Sequence, residues 1–232
     1  MNNFRPQGFS LLPSVVKNLL IINGLVFLAQ ITIGKQINLE DIFALHTWQS
    51  DLFKPWQFFT HMFMHGNFYH ILGNMFALWM FGSILENVWG PQRFLTFYVV
   101  CGLGAALCHM GVLYYEMQQT IRLFNGLSFE QQQMYRDGLL NKVNEATLGA
   151  SGAVFGCLAA FGYLFPNTYI YVYYLIPLKA KWFVMIYAGI ELTQAIQNSA
   201  GDNVAHVAHL GGALVGIILV YFWNKNNKKT FY

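Results

Sequence analysis

The residue best suited to act as a nucleophile is a serine flanked by glycines. Ser151 lies in the stretch GASGAVFG, where small neighbours leave its hydroxyl accessible and let other backbones approach closely. The same stretch also places Gly152 and Gly156 at GxxxG spacing, which is typical of plain helix packing in membranes. The serine motif therefore predicts catalysis only if a base lies nearby.

A candidate base lies in a second motif near the end of the chain. His206 belongs to AHVAHLGGALVG, beside a stripe of small residues formed by Ala205, Gly212 and Gly216. An imidazole in an apolar helix needs hydrogen-bonding partners, so this position favours a functional role. Because small-residue stripes allow helices to pack closely, we expect His206 to reach Ser151 and act as its general base.

A third motif, HMFMHGNFYHILGN, supplies further polar side chains. His70 and Asn74 are four residues apart and share a helix face. Acyl transfer develops an oxyanion, which imidazole and amide N–H groups stabilise. His61 and His65 also share a face, and we expect them to shape the site as hydrogen-bonding struts rather than to take part in the chemistry.

The acids near these motifs do not complete a triad by sequence position. Asp202 lies one turn before His206, where a helix N-cap is the more common role. Glu86 lies at the other end of its predicted helix and is expected to be structural. The sequence therefore predicts a catalytic dyad, and it leaves open whether Asp202 or His209 assists His206.

The composition indicates that a membrane surrounds the elements that carry these motifs. Of 232 residues, 56% are hydrophobic and 10% charged, against about 25% charged in ordinary soluble domains. The net charge of +3 is small and the basic residues are scattered, so nothing indicates binding to nucleic acid.

Apolar runs long enough to cross a bilayer predict an all-α membrane protein with six transmembrane helices. We expect a short cytoplasmic tail over 1–13, a helical domain over 14–224 and a basic cytoplasmic tail over 225–232. The run from Tyr169 to Pro177 is short and ends in proline, which favours an interfacial hairpin over a seventh span. The predicted spans lie near 14–34, 68–88, 93–115, 148–165, 181–197 and 203–223.

The distribution of lysine and arginine predicts that both termini are cytoplasmic, because basic residues concentrate on that side of the predicted spans. A long first outer loop, 35–67, is rich in aromatic residues and is expected to lie at the membrane interface. In the polar second loop, 116–147, Ser128 and Gln131 have the spacing of a capping box, and Gly138 could end a short helix. This topology places all three motifs at the same outer level.

Taken together, the three motifs in this order resemble the rhomboid family of intramembrane serine proteases. The resemblance covers residues 14–224 and implies that Ser151 is the nucleophile and His206 the base. It also implies an oxyanion hole formed by His70, Asn74 and the Ser151 backbone amide, with Gly149 shaping the adjacent loop. Two positions depart from the family pattern: Trp56-Gln57 stands where Trp-Arg is usual, and Phe155 where tyrosine often packs against the catalytic histidine.

The resemblance further implies the substrate and the location, and a reaction that needs no metal ion or cofactor. We expect the substrate to be a single-pass membrane protein whose transmembrane helix unwinds near the outer face, since a helical peptide bond is shielded from attack. The expected location is the bacterial inner membrane, with the active site open to the outer side. The sequence does not define the oligomeric state.

Two other functions are compatible with some of these residues. A b-type haem or metal protein would use the histidines that gather at one level, but GASG would then have no role and the ligands do not fall on two facing helices. A catalytically inactive rhomboid relative is the second alternative. That class typically lacks the serine or the histidine, whereas this chain has both. The gathered histidines are His61, His65, His70, His206 and His209.

Overall fold

The computed structural model describes residues 8–34, 36–172, 175–197 and 206–226. Helices dominate it, as predicted, with short strands in two places. The helices are α1 (Ser14–Thr32), α2 (Leu39–Phe43), α3 (Gln57–Thr60), α4 (Phe68–Ala77), α5 (Ser83–Trp89), α6 (Pro91–Asn125), α7 (Phe129–Val143), α8 (Ser151–Leu164), α9 (Ala180–Gln197) and α10 (His206–Asn226). The strands are β1 (Leu45–His46), β2 (Ala146–Thr147), β3 (Tyr169–Val172) and β4 (Ile176–Lys179).

Within the described residues, four helical segments are long and apolar enough to cross a membrane: Ser14–Thr32, Phe68–Trp89, Pro91–Asn125 and His206–Lys225. The second comprises α4 and α5, which a π-helical turn over Leu78–Gly82 joins without a break. Large apolar side chains such as Ile21, Leu25 and Leu28 on α1 remain exposed, as expected of a surface that faces lipid. The protein is therefore an integral membrane protein.

The third spanning helix is longer than the sequence predicted. Gly90, with φ of +80°, ends α5, and Pro91 then begins α6 at the position where a missing N–H costs nothing. The helix continues for 35 residues to Asn125, well beyond the predicted end near 115. The predicted capping box of Ser128 and Gln131 is confirmed at the start of α7, but Gly138 lies inside that helix rather than at its end.

Helix α8 occupies the centre of the bundle, packed against α6 and α10. Almost every residue from Gly152 to Gly162 is buried. Glycines make the contact with α10 possible, because a Cβ at Gly212 would lie 1.9 Å from the carbonyl oxygen of Gly152, and one at Gly216 would lie 2.8 Å from that of Gly156. The expected close packing is therefore confirmed for Gly212 and Gly216, whereas Ala205, the third residue of that stripe, lies outside the described residues.

The strands form two small antiparallel sheets, of which the sequence predicted only the hairpin over Tyr169 to Pro177. Strands β3 and β4 form a hairpin over the segment that the sequence excluded as a seventh span. Strands β1 and β2 pair Leu45 with Thr147 and His46 with Ala146, which joins the first loop to the segment before α8. The hydroxyl of Ser50 also donates to Asn144 Oδ1 at 2.7 Å, so the two loops are attached at two points.

Glu86 is structural, as the sequence suggested. Its carboxylate accepts hydrogen bonds from the backbone N–H groups of Val15 and Val16 at 2.9 and 2.8 Å, and from the Ser14 hydroxyl at 3.2 Å. A carboxylate at this point satisfies the otherwise unpaired N–H groups of the first turn of α1. The residue thus fixes α1 to α5.

Candidate active site

Ser151 is the first residue of α8 and lines a cavity of about 920 Å³. Residues of α4, α8, α9 and α10 contribute to the walls of this cavity. Gly149 precedes the serine with φ of +135°, a conformation that L side chains rarely adopt. The sequence therefore folds locally into a turn that presents the Ser151 side chain at the end of a buried helix.

Gly149 also makes room for the neighbouring histidine. A Cβ at position 149 would lie 2.9 Å from Nε2 of His70 and 3.4 Å from Oγ of Ser151. The backbone N–H of Gly149 donates to the carbonyl oxygen of His61 at 2.9 Å, which fixes this turn against the end of the first loop. His70 and Ser151 are thus brought together around a glycine.

The tautomer of His70 follows from its contacts. Its Nδ1 accepts a hydrogen bond from the backbone N–H of Gly66 at 3.4 Å, so the neutral ring carries its proton on Nε2, the atom beside Gly149. Asn74 lies one turn further along α4, where one N–H of its side-chain amide donates to the carbonyl oxygen of His70 at 3.0 Å. Both residues line the cavity, and each has a further N–H group, at Nε2 of His70 and on the second amide hydrogen of Asn74.

His61 and His65 lie outside the cavity lining and stabilise the loop before α4. The His61 ring is hydrogen-bonded through Nδ1 to the carbonyl oxygen of Gln57 at 2.9 Å. The backbone of His65 exchanges two hydrogen bonds with the Gln30 side chain of α1, at 2.9 and 3.1 Å. The His61 ring thus forms a hydrogen bond to the backbone, whereas His65 is held through its own backbone, and the site-shaping role of the two histidines stays a prediction.

Burial of these two rings predicts a loss of stability in acid. Both lie outside the spanning segments, and burial lowers the pKa of each from 6.5 to about 4. Between these values the unfolded chain binds more protons than the folded one, so the free energy of unfolding should fall as pH drops from 6.5 to 4, by up to about 3 kcal/mol for each ring.

Thermal unfolding in detergent between pH 4 and 7 would measure this effect. His65→Phe is the informative variant because it removes the titrating nitrogens of a buried ring and keeps an aromatic side chain in its place. It should show a weaker pH dependence than the wild type. Equal dependence in both proteins would contradict a contribution from His65.

His209 lines the same cavity as Ser151, whereas His206 is not among the described lining residues. The ring of Phe155 stacks on that of His209 with centroids 4.2 Å apart and an angle of 5° between the planes. A Cβ at Gly152 would lie 3.6 Å from the carbonyl oxygen of Ala208. The packing of α8 on α10 therefore brings the residues next to Ser151 and next to His209 into contact.

His206 instead contacts an acid that the sequence analysis did not single out. Its Nδ1 lies 2.7 Å from Oε2 of Glu191, and Nδ1 of His209 lies 2.9 Å from the same oxygen. All three side chains are buried. The signal was present in the sequence, since Glu191 is the one acid in the predicted span 181–197 and an ionisable residue in such a span favours a functional role. Asp202 lies outside the described residues.

A family model described as the Rhomboid domain matches residues 52–226 of this sequence. The chain belongs to the rhomboid family. It is 27% identical over 167 residues to the mitochondrial Rhomboid protein 1 of Saccharomyces cerevisiae, covering 72% of this chain and 41% of that protein. It is also 26% identical over 214 residues to the rhomboid protease AarA of Providencia stuartii, covering 87% of this chain and 69% of AarA. The rhomboid protease GlpG of Haemophilus influenzae is 26% identical over 210 residues, with 89% of this chain and 88% of GlpG covered.

The first of these rhomboid relatives is much longer than the part that this chain matches, since the chain spans less than half of the yeast protein.

Within the rhomboid fold, the departure at Gln57 leaves the first loop well anchored. The Gln57 side chain is fully buried, donates to the carbonyl oxygens of Asp41 and Leu52 at 3.1 and 2.9 Å, and accepts from the backbone N–H of Lys54 at 3.0 Å. A neutral amide thus supplies polar anchoring at the position where the family usually has arginine.

Proposed function

We propose that this rhomboid family member is an intramembrane serine endopeptidase with Ser151 as nucleophile and His209 as general base. The observation that carries the proposal is the shared cavity, in which Ser151, His209, His70 and Asn74 meet. We assign the base to His209 rather than to His206, which the sequence favoured, because His209 lines that cavity and stacks on Phe155. The protease names of the relatives AarA and GlpG support the same activity.

The chemistry follows from the atoms that face the cavity. Nδ1 of His209 is engaged with Glu191, so Nε2 is the atom available to take the proton from the Ser151 hydroxyl. The serine oxygen attacks the peptide carbonyl, and the resulting oxyanion is stabilised by N–H groups of His70, Asn74 and the Ser151 backbone. His209 then gives its proton to the leaving amine as the C–N bond breaks, and water hydrolyses the acyl-enzyme. This reaction needs no cofactor.

The substrate class is inferred from the shape and position of the cavity. Aromatic and aliphatic side chains of α4 and α9, including Phe76 and Phe183, line two of its sides, so a transmembrane segment of a single-pass protein is the expected ligand. Helix α8 has 14 residues and is about 21 Å long, which is shorter than a hydrocarbon core of about 30 Å. Ser151 would then lie below the membrane surface, in contact with the polar atoms of the cavity rather than with lipid.

For location, we propose a bacterial cytoplasmic membrane, with both termini cytoplasmic and the site open to the outer side. The distribution of basic residues supports this orientation. The cavity adds support, because it contains residues from the starts of α4, α8 and α10, and these helices must therefore begin on the same side.

Labelling with a fluorophosphonate probe tests the proposed function directly. The probe reacts with a serine that a base has activated, so we expect covalent modification of Ser151 in wild-type protein and none in Ser151→Ala. The same pair should differ in cleavage of a model single-pass substrate in detergent, without added metal. Absence of both labelling and cleavage in the wild type would favour a metal or haem protein or an inactive relative.

Removal of a single oxyanion donor should slow the labelling of Ser151 only in part. His70→Ala and Asn74→Ala leave the nucleophile and base in place, so labelling should slow without disappearing. One donor is worth roughly 10²- to 10³-fold in a soluble serine protease, and the loss should be smaller here because three donors share the charge. Unchanged rates in both variants would contradict the assignment of these residues to the oxyanion hole.

A further inference from the structure

Glu191 is a buried acid that the proposed dyad does not use. It lies on α9, a predominantly apolar helix, and only 5% of its surface is exposed. A carboxylate in such a setting is costly unless hydrogen bonds compensate for the lost water. Within the described part of the chain, both of its hydrogen bonds come from histidines of α10 and converge on the single oxygen Oε2.

The two histidines are placed for this contact by helix geometry. His206 and His209 are three residues apart, so their side chains share one face of α10. Each uses Nδ1, at 2.7 and 2.9 Å from Oε2. Since a carboxylate only accepts hydrogen bonds, each Nδ1 carries a proton, and each neutral ring then has an unprotonated Nε2.

For His209 this arrangement has a chemical consequence. The ring is held on one face by Phe155 and at Nδ1 by Glu191, which leaves Nε2 as the only ring nitrogen able to accept a proton from Ser151. When that proton arrives, the imidazolium forms next to a carboxylate, which stabilises its charge. These are the two functions that the acid performs in a serine protease triad.

Three ligand atoms this close also suggest a metal site, because Glu191, His206 and His209 could together hold an ion. The distances favour hydrogen bonds. A tetrahedral Zn²⁺ with bonds of about 2.0–2.1 Å would hold its ligand atoms about 3.3 Å apart, whereas the two Nδ1 to Oε2 distances are 2.7 and 2.9 Å.

We propose that Glu191 is a positioning residue for the base, so that the site works as a Ser151–His209–Glu191 triad whose carboxylate is held in place by His206. This inference rests on the proteolytic function proposed above. It also gives His206 a role, as a second donor to Glu191 rather than as the base. The acid comes from α9, so assembly of the site depends on how α9 packs against α10.

The experiment compares Glu191→Gln with Glu191→Asp in cleavage of a model substrate, measuring kcat and KM separately. Gln keeps the volume and loses the charge, whereas Asp keeps the charge and shortens the side chain. We expect Glu191→Gln to lower kcat by about 10²- to 10⁴-fold with little change in KM, and Glu191→Asp to retain more activity than Gln. A packing role would reverse this order, so wild-type kcat in Glu191→Gln, or less activity in Asp than in Gln, would overturn the proposal.

A measurement on the wild type keeps the proposal testable if a variant does not fold. Nitrogen NMR of ¹⁵N-histidine-labelled protein, with His209 assigned by comparison with His209→Gln, should show the Nδ1–H tautomer for His209. The Nε2–H tautomer would overturn the proposal. So would loss of activity on treatment with a chelator and recovery with Zn²⁺, since that would make the cluster a metal site.

These outcomes separate this inference from the proposed function. If wild-type protein neither cleaves nor labels, the proposed function is wrong. If the wild type cleaves, Ser151→Ala does not, and Glu191→Gln cleaves normally, only the role of Glu191 is wrong.

Discussion

Replacing His209 with alanine is expected to lower kcat/KM for cleavage of a model transmembrane substrate by at least about 10⁴-fold, because the Ser151 hydroxyl would lose its proton acceptor. Fluorophosphonate labelling of Ser151 should fall in parallel, although the serine remains. Soluble serine proteases lose a comparable or larger factor when the base is removed.

His206→Ala is the matched comparison, since it removes the same side chain three residues away on the same helix face. It takes one hydrogen bond from Glu191 and leaves the other, so we expect a loss of about tenfold, which corresponds to a contact of about 1–2 kcal/mol. The opposite ranking, with His206→Ala inactive and His209→Ala active, would restore His206 as the base.

Replacing Gly212 with alanine should separate α8 from α10 and abolish activity. The added Cβ would lie 1.9 Å from the carbonyl oxygen of Gly152, and a backbone atom cannot move aside as a flexible side chain can. Overpacking of this kind costs about 1–3 kcal/mol, and the shift would also carry His209 away from Ser151. We expect a lower thermal unfolding temperature in detergent together with loss of cleavage.

Gly111→Ala on α6 provides the control. A Cβ at this position meets nothing within 4 Å, so the substitution should leave cleavage unchanged and raise stability by up to about 1 kcal/mol through helix propensity. If Gly212→Ala cleaved the substrate as well as Gly111→Ala does, the Gly152–Gly212 contact would not be what holds the site together.

The spanning helices could be predicted from sequence because apolar length alone identifies them. The packing of α8 on α10 was also predictable, since glycines at helical spacing mark where backbones approach closely. The end of α6 was not, because the ten residues after the predicted boundary mix charged and amide side chains with apolar ones, and hydropathy does not show where such a helix ends. The pairing of β1 with β2 joins residues about a hundred positions apart, which no local pattern reveals.

Some residues of the candidate site could likewise be predicted from the sequence, and others could not. Ser151, His70 and Asn74 stand out because their motifs combine unusual residue types at helical spacing. His206 and His209 share one face of one helix, so periodicity cannot choose between them, and the choice needs the position of Phe155 on a different helix. Glu191 contributes from a third helix. Its contact with α10 depends on tertiary packing that sequence spacing does not encode.

Because α8 carries Ser151 at its first residue and its packing glycines one and five positions later, the packing of this helix fixes both the depth and the direction of the proposed nucleophile. One residue inserted after Ser151 would raise the serine by about 1.5 Å and rotate it by about 100° away from His209. Even a whole inserted turn would raise the serine by about 5.4 Å, so no insertion between Ser151 and Gly156 is expected to preserve the site. The mostly exposed helix α7 is free of that constraint. The length of the chain can therefore vary before Gly149, in α7, and must stay constant between Ser151 and Gly156.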